Sequence, residues 1–279
     1  MKKSLFILFS ASLFLTSCSG SNNAQIGEVV FENDQLRITQ LEENAWVGET
    51  SDNTTIYIVE GDDRAALIDT GTSIDGLDEI VTGITDKPLD VILTHLHSDH
   101  AGNIRYFDEI YFHPADTVLG LRGYTGKVNY VAEGDVFDLG GTQLEVLHAP
   151  AHTPGEICLL DRAAGICYSG DAVGSNDVWL QLQPSAPIAT YIATCDKILA
   201  EMDKGIDKIY CGHYVYIDGG VLHRDYVETM RELALSLEDG SGIPQAVPYD
   251  NAAYRNTAWK PLVLSKNGVN IVFYPEYLK

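Results

Sequence analysis

The sequence predicts an α/β fold in layers, and three observations carry that expectation. Strand-type runs open each half of the chain, segments with helical apolar spacing interleave with them, and no linker divides the body. With 279 residues the chain is long enough for a sizeable core. The body, 35–279, is read as a single domain with a C-terminal extension over 241–279.

The first strand signal is Leu36-Arg37-Ile38-Thr39-Gln40-Leu41, which alternates apolar and polar. Ala45–Val47 and Thr55–Val59 follow, with Gly48–Asn53 between them as a turn. Ala65–Ile68 is an apolar run closed by Asp69-Thr70-Gly71. Ile74, Leu77, Ile80, Val81 and Ile84 have helical spacing and predict an amphipathic helix over Ser73–Ile84, capped by Ser73. Leu89–Leu93 reads as a buried strand that runs into Thr94-His95-Leu96-His97-Ser98-Asp99-His100, with a helix after it over Ala101–Phe107. Ile110–Phe112, Gln143–Leu147, Ile157–Leu160 and Ile166–Tyr168 read as strands, the last two joined by the turn Asp161–Gly165. Tyr191–Met202 reads as a helix, Ile209–Cys211 as a strand ending at Gly212-His213, and Tyr226–Leu237 as the longest helical pattern. Val263–Leu264 and Val269–Tyr274 form a terminal hairpin about Asn267-Gly268.

Composition narrows the function. Eighteen basic residues stand against 40 acidic ones, a net charge of -22, which counts against a nucleic-acid surface because phosphates need clustered Lys and Arg. The same charge opposes docking of the folded surface on anionic bilayers. With 45% hydrophobic residues the profile is that of a globular protein rather than a disordered tail.

The N-terminus reads as an export signal. Lys2 and Lys3 precede the apolar run Leu5–Leu15, which is shorter than the roughly 20 residues a spanning helix needs. Leu15-Thr16-Ser17-Cys18 resembles a bacterial lipobox, so 1–17 is expected to be a signal peptide, Cys18 the lipidated residue and 18–34 a tether. Loss of Lys2 and Lys3 moves the net charge from -22 to -24. The protein is then exported and anchored to a bacterial membrane, facing the periplasm or the outside, with the lipid as its one membrane contact. Cys158, Cys167, Cys195 and Cys211 form no disulfide framework and are read as buried thiols.

Chemistry concentrates in His95-x-His97-x-Asp99-His100. In an extended stretch residues i and i+2 point the same way, so His95 and His97 converge on one point. Asp99 and His100, where the chain turns into a helix, face a second point nearby. His and Asp suit zinc and similar ions. His152-Thr153-Pro154-Gly155 in a loop after a strand, Ser169-Gly170-Asp171 at a strand end and Gly212-His213 at another add metal-type residues at one sheet edge.

This set of motifs, THLHSDH, AHTPG, SGD and GH in that order, resembles the metallo-β-lactamase-fold hydrolase superfamily over Leu36–Leu237. The resemblance implies a four-layer αββα sandwich with the site at one edge. It implies two divalent metal ions, zinc in the first place with manganese or iron as options. His95, His97 and His152 would hold the first ion, Asp99, His100 and His213 the second, and Asp171 would bridge them. Asp69 would orient a ligand histidine and His148 would support the site. Trp179, Tyr191 and Tyr214 are the expected substrate contacts. The segment 48–54 takes the place of the family's flap, and the apolar loop Gly174–Pro187 is a second wall.

The expected reaction is hydrolysis of an ester, lactone, thioester or phosphoester of a small molecule by a metal-bridging hydroxide, with Asp99 and Asp171 catalytic. An Asp matching Asp171, together with His213, resembles the glyoxalase II and lactonase members. Alternatives are a β-lactam hydrolase, a mononuclear-iron persulfide dioxygenase and a non-catalytic metal-binding lipoprotein. The export signal weighs against glutathione thioesters and persulfides.

Overall fold

The computed structural model describes residues 27–150, 152–174, 177–252, 255, 258 and 260–279. The signal peptide expected over 1–17 and the lipidation expected at Cys18 fall outside the described residues.

The first sheet has eight strands in sequence order. They are β1 (Val29–Glu32), β2 (Leu36–Glu42), β3 (Ala45–Thr50), β4 (Thr55–Glu60), β5 (Ala65–Ile68), β6 (Leu89–Ile92), β7 (Glu109–Phe112) and β8 (Lys127–Tyr130). The first five pair antiparallel; β5 to β8 run parallel. The second sheet uses β9 (Val136–Asp138), β10 (Gln143–His148), β11 (Ile157–Asp161), β12 (Ile166–Gly170) and β14 (Lys208–Cys211), in the order β14-β12-β11-β10-β9. A third, small sheet joins β13 (Asp177–Trp179) to β15 (Val247–Pro248), β16 (Leu262–Lys266) and β17 (Val269–Phe273). The helices are α1 (Leu77–Thr82), α2 (Ser98–Ala101), α3 (Ile188–Met202) and α4 (Arg224–Glu238).

Period-two alternation explains the layers. Along β4, Tyr57 and Val59 enter the core shared with the second sheet, while Ile56 and Ile58 enter the core under α1. Along β11, Ile157 and Leu159 face the first sheet, whereas Cys158 and Leu160 face α3 and α4. Two sheets buried on both faces, with helices outside each, make the four-layer αββα sandwich expected from the resemblance. Cys158, Cys167, Cys195 and Cys211 are all buried.

Several expectations are corrected. The end of the tether includes β1, which pairs with β2 as an edge strand. Residues 48–50 are not a turn: Gly48, Glu49 and Thr50 continue β3 between β2 and β4, and the ladders on both sides outweigh glycine's weak strand preference. The helix expected from Ser73 starts at Leu77, because Ser73 and Gly76 both sit at positive φ and no side chain caps it. The helix expected over Ala101–Phe107 is instead α2 followed by a 3-10 turn at Ile104–Tyr106.

The sheets are tied together at the edge where β6, β12 and β14 end. Ile157 N–H donates to the Thr94 carbonyl, and Thr55 N–H to the Gly212 carbonyl. The buried Tyr57 hydroxyl donates to the Cys211 carbonyl at 2.6 Å. Tyr57→Phe strands that acceptor, so it is expected to lower the unfolding free energy by about 1–3 kcal/mol. Urea denaturation with an unchanged m-value checks this; a loss below experimental error would show that the cross-sheet bond contributes nothing.

Candidate metal centre

The chain leaving β6 carries His95 and His97 just before α2. His97 keeps an extended backbone, φ -64° and ψ 155°. The two rings lie 4.9 Å apart, and His152, on the loop between β10 and β11, meets them at 5.2 and 4.4 Å. Donor atoms of His95, His97 and His152 fall within 4.8 Å of one another, as do those of Asp99, His100 and His213. Asp171, just past β12, stands between the groups. Its Oδ2 is 3.8 Å from His152 Nε2 and 3.4 Å from His213 Nε2, and its Oδ1 is 3.6 Å from His100 Nε2. The structure thus brings all seven expected ligands together.

Hydrogen bonds orient the rings. Asp69, at positive φ, accepts from the Thr94 hydroxyl at 2.8 Å, the Thr94 N–H at 2.7 Å and the His100 Nδ1–H at 2.9 Å. The Thr94 hydroxyl proton is spent on Asp69, so its oxygen accepts from His95 Nδ1–H at 3.1 Å. His152 Nδ1–H donates to the Trp179 carbonyl at 2.6 Å, and His213 Nδ1–H to the Asn53 carbonyl at 2.9 Å. Four imidazoles therefore spend their Nδ1 protons outward and turn Nε2 lone pairs inward. His95 Nε2 and His100 Nε2 are buried with no hydrogen-bond partner among the described residues. Leaving such atoms unpaired costs about 1–3 kcal/mol each. A divalent cation answers that cost, and the 3.4–3.8 Å between Asp171 oxygens and the ring nitrogens is near the roughly 3.4 Å that separates donor atoms sharing one ion in tetrahedral geometry.

Electrostatics agree. Burial pushes His95 well below its usual pKa, with His100 and His97 adding to the effect. His97 is lowered to about 3, first by burial and then by His152. Burial would lower His100 too, but Asp171, Asp99 and Asp69 outweigh it and raise this pKa well above the usual value. Burial likewise opposes the charge on Asp171, yet His213 and His100 hold its carboxyl well below the usual range. Neutral His95 and His97 offer free lone pairs, while the carboxylates that favour a proton on His100 favour a metal cation in its place.

Glycines permit the close packing. A Cβ on Gly212 would lie 2.3 Å from Asp171 Oδ1 and 2.6 Å from His100 Cε1. At Gly170, φ is +52° and a Cβ would meet Thr94 at 2.6 Å.

Two buried acids escaped the sequence reading. Asp116 accepts from Leu96 N–H, the Thr153 hydroxyl and Gly155 N–H, tying the His95 segment to the His152 loop. Glu156 accepts from Asp171 N–H at 2.8 Å and His152 N–H at 3.2 Å, and burial followed by the Asp171 charge raises its pKa well above normal. His148 supports the same loop, donating from Nε2 to the Pro154 carbonyl and stacking on His113 at 3.9 Å.

Above the cluster opens a cavity of about 720 Å³ lined by Arg122, Asp177, Trp179, Leu182, Tyr216 and Tyr249 besides the ligands. Trp179 lines it as expected. Tyr191 does not: it is fully buried in the core on α3, on the helix face shared with Cys195 and Ile198. Tyr214 does not line it either, because its ring packs toward Gly220 and Tyr210. Tyr216 takes that place, stacked on His213 at 6.0 Å. The expected flap is instead the end of β3 and a tight turn whose Asn53 carbonyl fixes His213.

The family model of the metallo-beta-lactamase superfamily matches residues 50–238. The acyl-coenzyme A thioesterase MBLAC2 of Homo sapiens is 30% identical over 211 residues, spanning 60% of this chain and 75% of that protein. Its Gallus gallus namesake is 28% identical over 218 residues, spanning 63% and 78%. A solved metallo-beta-lactamase from Erythrobacter litoralis shares the fold, with a TM-score of 0.60 at 20% identity over 74% of this chain and 99% of that one.

Gly212→Ala is expected to weaken zinc binding at least tenfold by displacing Asp171 and His100 while leaving the far-ultraviolet circular dichroism unchanged. Chelator competition measures this; parental affinity in the variant would refute the packing argument.

Proposed function

The chain belongs to the metallo-beta-lactamase superfamily, and from that premise we propose that this hydrolase cleaves an acyl thioester or ester at a site holding two divalent cations, zinc foremost. The observation that carries the reading is Asp171, whose two carboxylate oxygens lie 3.4–3.8 Å from ring nitrogens of both histidine groups. The acyl-coenzyme A thioesterases among the relatives support the bond type.

When bound, the cations supply positive charge that polarises the substrate carbonyl and makes water acidic enough to attack near neutral pH. His95, His97 and His152 would hold one cation, and Asp99, His100 and His213 the other, with the Asp171 carboxylate within reach of both groups. Asp99 is half-buried at the cavity floor, with Oδ2 3.6 Å from His100 Nε2 and from His213 Nε2. It takes the proton of the attacking water and passes it to the leaving sulfur or oxygen as the acyl carbon exchanges that atom for the water oxygen. Trp179, Leu182, Tyr216 and Tyr249 offer an apolar wall for the acyl chain and exclude water beside it. In the same proposal Cys18 carries the lipid that keeps the hydrolase at a membrane surface.

Asp171→Ala and His97→Ala are expected to lower kcat/KM by about a thousandfold with the fold retained, and chelation followed by zinc to abolish and restore turnover. A panel of acyl thioester, aryl ester, lactone, phosphodiester and β-lactam substrates decides the bond. Turnover of the thioester or ester first supports the reading, whereas turnover confined to the phosphodiester or β-lactam, or persisting in metal-stripped protein, overturns it. For the anchor, mass spectrometry of the mature N-terminus in a bacterial host is expected to find diacylglycerol on Cys18; an unmodified N-terminus elsewhere would refute it.

A further inference from the structure

The third sheet is where the fold outgrows the family match, which ends at residue 238. Three of its four strands, β15, β16 and β17, lie beyond that point. The fourth, β13, lies in the chain that follows Asp171 and, among the described residues, has β17 as its one partner in that sheet. Yet β13 reaches the metal centre, because the Trp179 carbonyl accepts the His152 Nδ1 proton at 2.6 Å. The corresponding acceptors for His95, His100 and His213 belong to the loops and turns of the first sheet.

What holds β13 is visible in one side chain. The Asp177 carboxylate accepts from Asn270 Nδ2 on β17 at 2.8 Å and from the Tyr249 hydroxyl, just past β15, at 2.5 Å. Tyr249 is itself fixed by its N–H to the Pro261 carbonyl at 2.9 Å, and its ring meets the Trp179 ring edge-on at 6.1 Å. At the other end of β13, Leu180 N–H donates to the Val272 carbonyl at 2.8 Å. A three-residue strand with one neighbour is a weak support on its own, and Asp177 cross-links it to both sides of the extension.

We propose that the C-terminal extension is a positioning element for His152: clamped through Asp177 by Asn270 and Tyr249, β13 presents the Trp179 carbonyl that fixes the His152 ring. Asp177, Asn270 and Tyr249 are positioning residues; they act on the cation through His152 and not by touching it. The inference rests on His152 being a metal ligand, as in the function proposed above. Groups that orient a ligand histidine typically change metal affinity 10–100-fold, so loss of the clamp should reach the lower end of that range.

The full-length protein is titrated with zinc against a chromophoric chelator, and the His152 Nδ1 proton is followed by nitrogen-correlated NMR. Asp177→Ala is expected to weaken zinc binding about tenfold and to speed exchange of the His152 Nδ1 proton, with kcat falling more than KM rises. Asn270→Ala and Tyr249→Phe each remove one arm and are expected to give smaller changes in the same direction. Asp177→Asn, which can still accept a bond, is expected to recover most of the affinity. Zinc affinity and proton exchange in Asp177→Ala and Asn270→Ala equal to those of the parent would overturn the inference. If the parent itself binds no zinc, the metal-site reading fails before the clamp is tested.

Discussion

The structure is organised around one constraint: lone pairs of histidine and aspartate must meet in a buried place, and every proton on the far side of those rings must have an acceptor. Asp69 meets that demand directly at His100 and also accepts from the Thr94 hydroxyl and the Thr94 N–H, while the Trp179 and Asn53 carbonyls serve His152 and His213. Through Thr94 it also sets the tautomer of His95. The positive φ at Asp69 and Gly170 follows from this, since both lie where a strand end bends to bring its side chain or backbone against Thr94. The strand ends are in turn fixed by bonds between the two sheets, so the sandwich and the site form one unit.

Much of this was legible in the sequence because it is local. The ligand spacings in His95–His100, the Gly before His213 and the apolar alternation along β4 and β11 each express a rule about neighbouring residues, and each reappears in space. What was not legible depends on distant partners. Asp116 lies 20 residues from Leu96 and 37 from Thr153, yet bonds to both. Nothing in the sequence around Asp116 marks it. Glu156 left a fainter signal, as an acid directly before the buried run Ile157–Leu160. The strand β13 was missed because three residues carry no period, and its pairing is made with residues more than ninety positions away.

The misplaced tyrosines teach the same lesson at shorter range. Tyr191, Cys195 and Ile198 share a helix face, and that spacing already pointed Tyr191 to the core. Beside His213, the turn Tyr214–Tyr216 swings the first tyrosine onto the sheet and the third over the ligand ring. The cavity wall therefore comes from Trp179 and Leu182 at and after β13, Tyr216 in the turn after β14 and Tyr249 just past β15, while the candidate ligands come from the sheet edge. Leu182 and Tyr216 line the wall only, whereas Trp179 and Tyr249 also belong to the chain of contacts that reaches His152, so wall and floor are joined on that side.

The central claim is that this buried cluster is built for two cations with Asp171 between them. Anomalous scattering at the zinc edge from crystals of zinc-loaded protein tests it directly. The account predicts two peaks, one among His95, His97 and His152 and the other among Asp99, His100 and His213, each within bonding distance of Asp171. A single peak, or peaks away from these side chains, would contradict it.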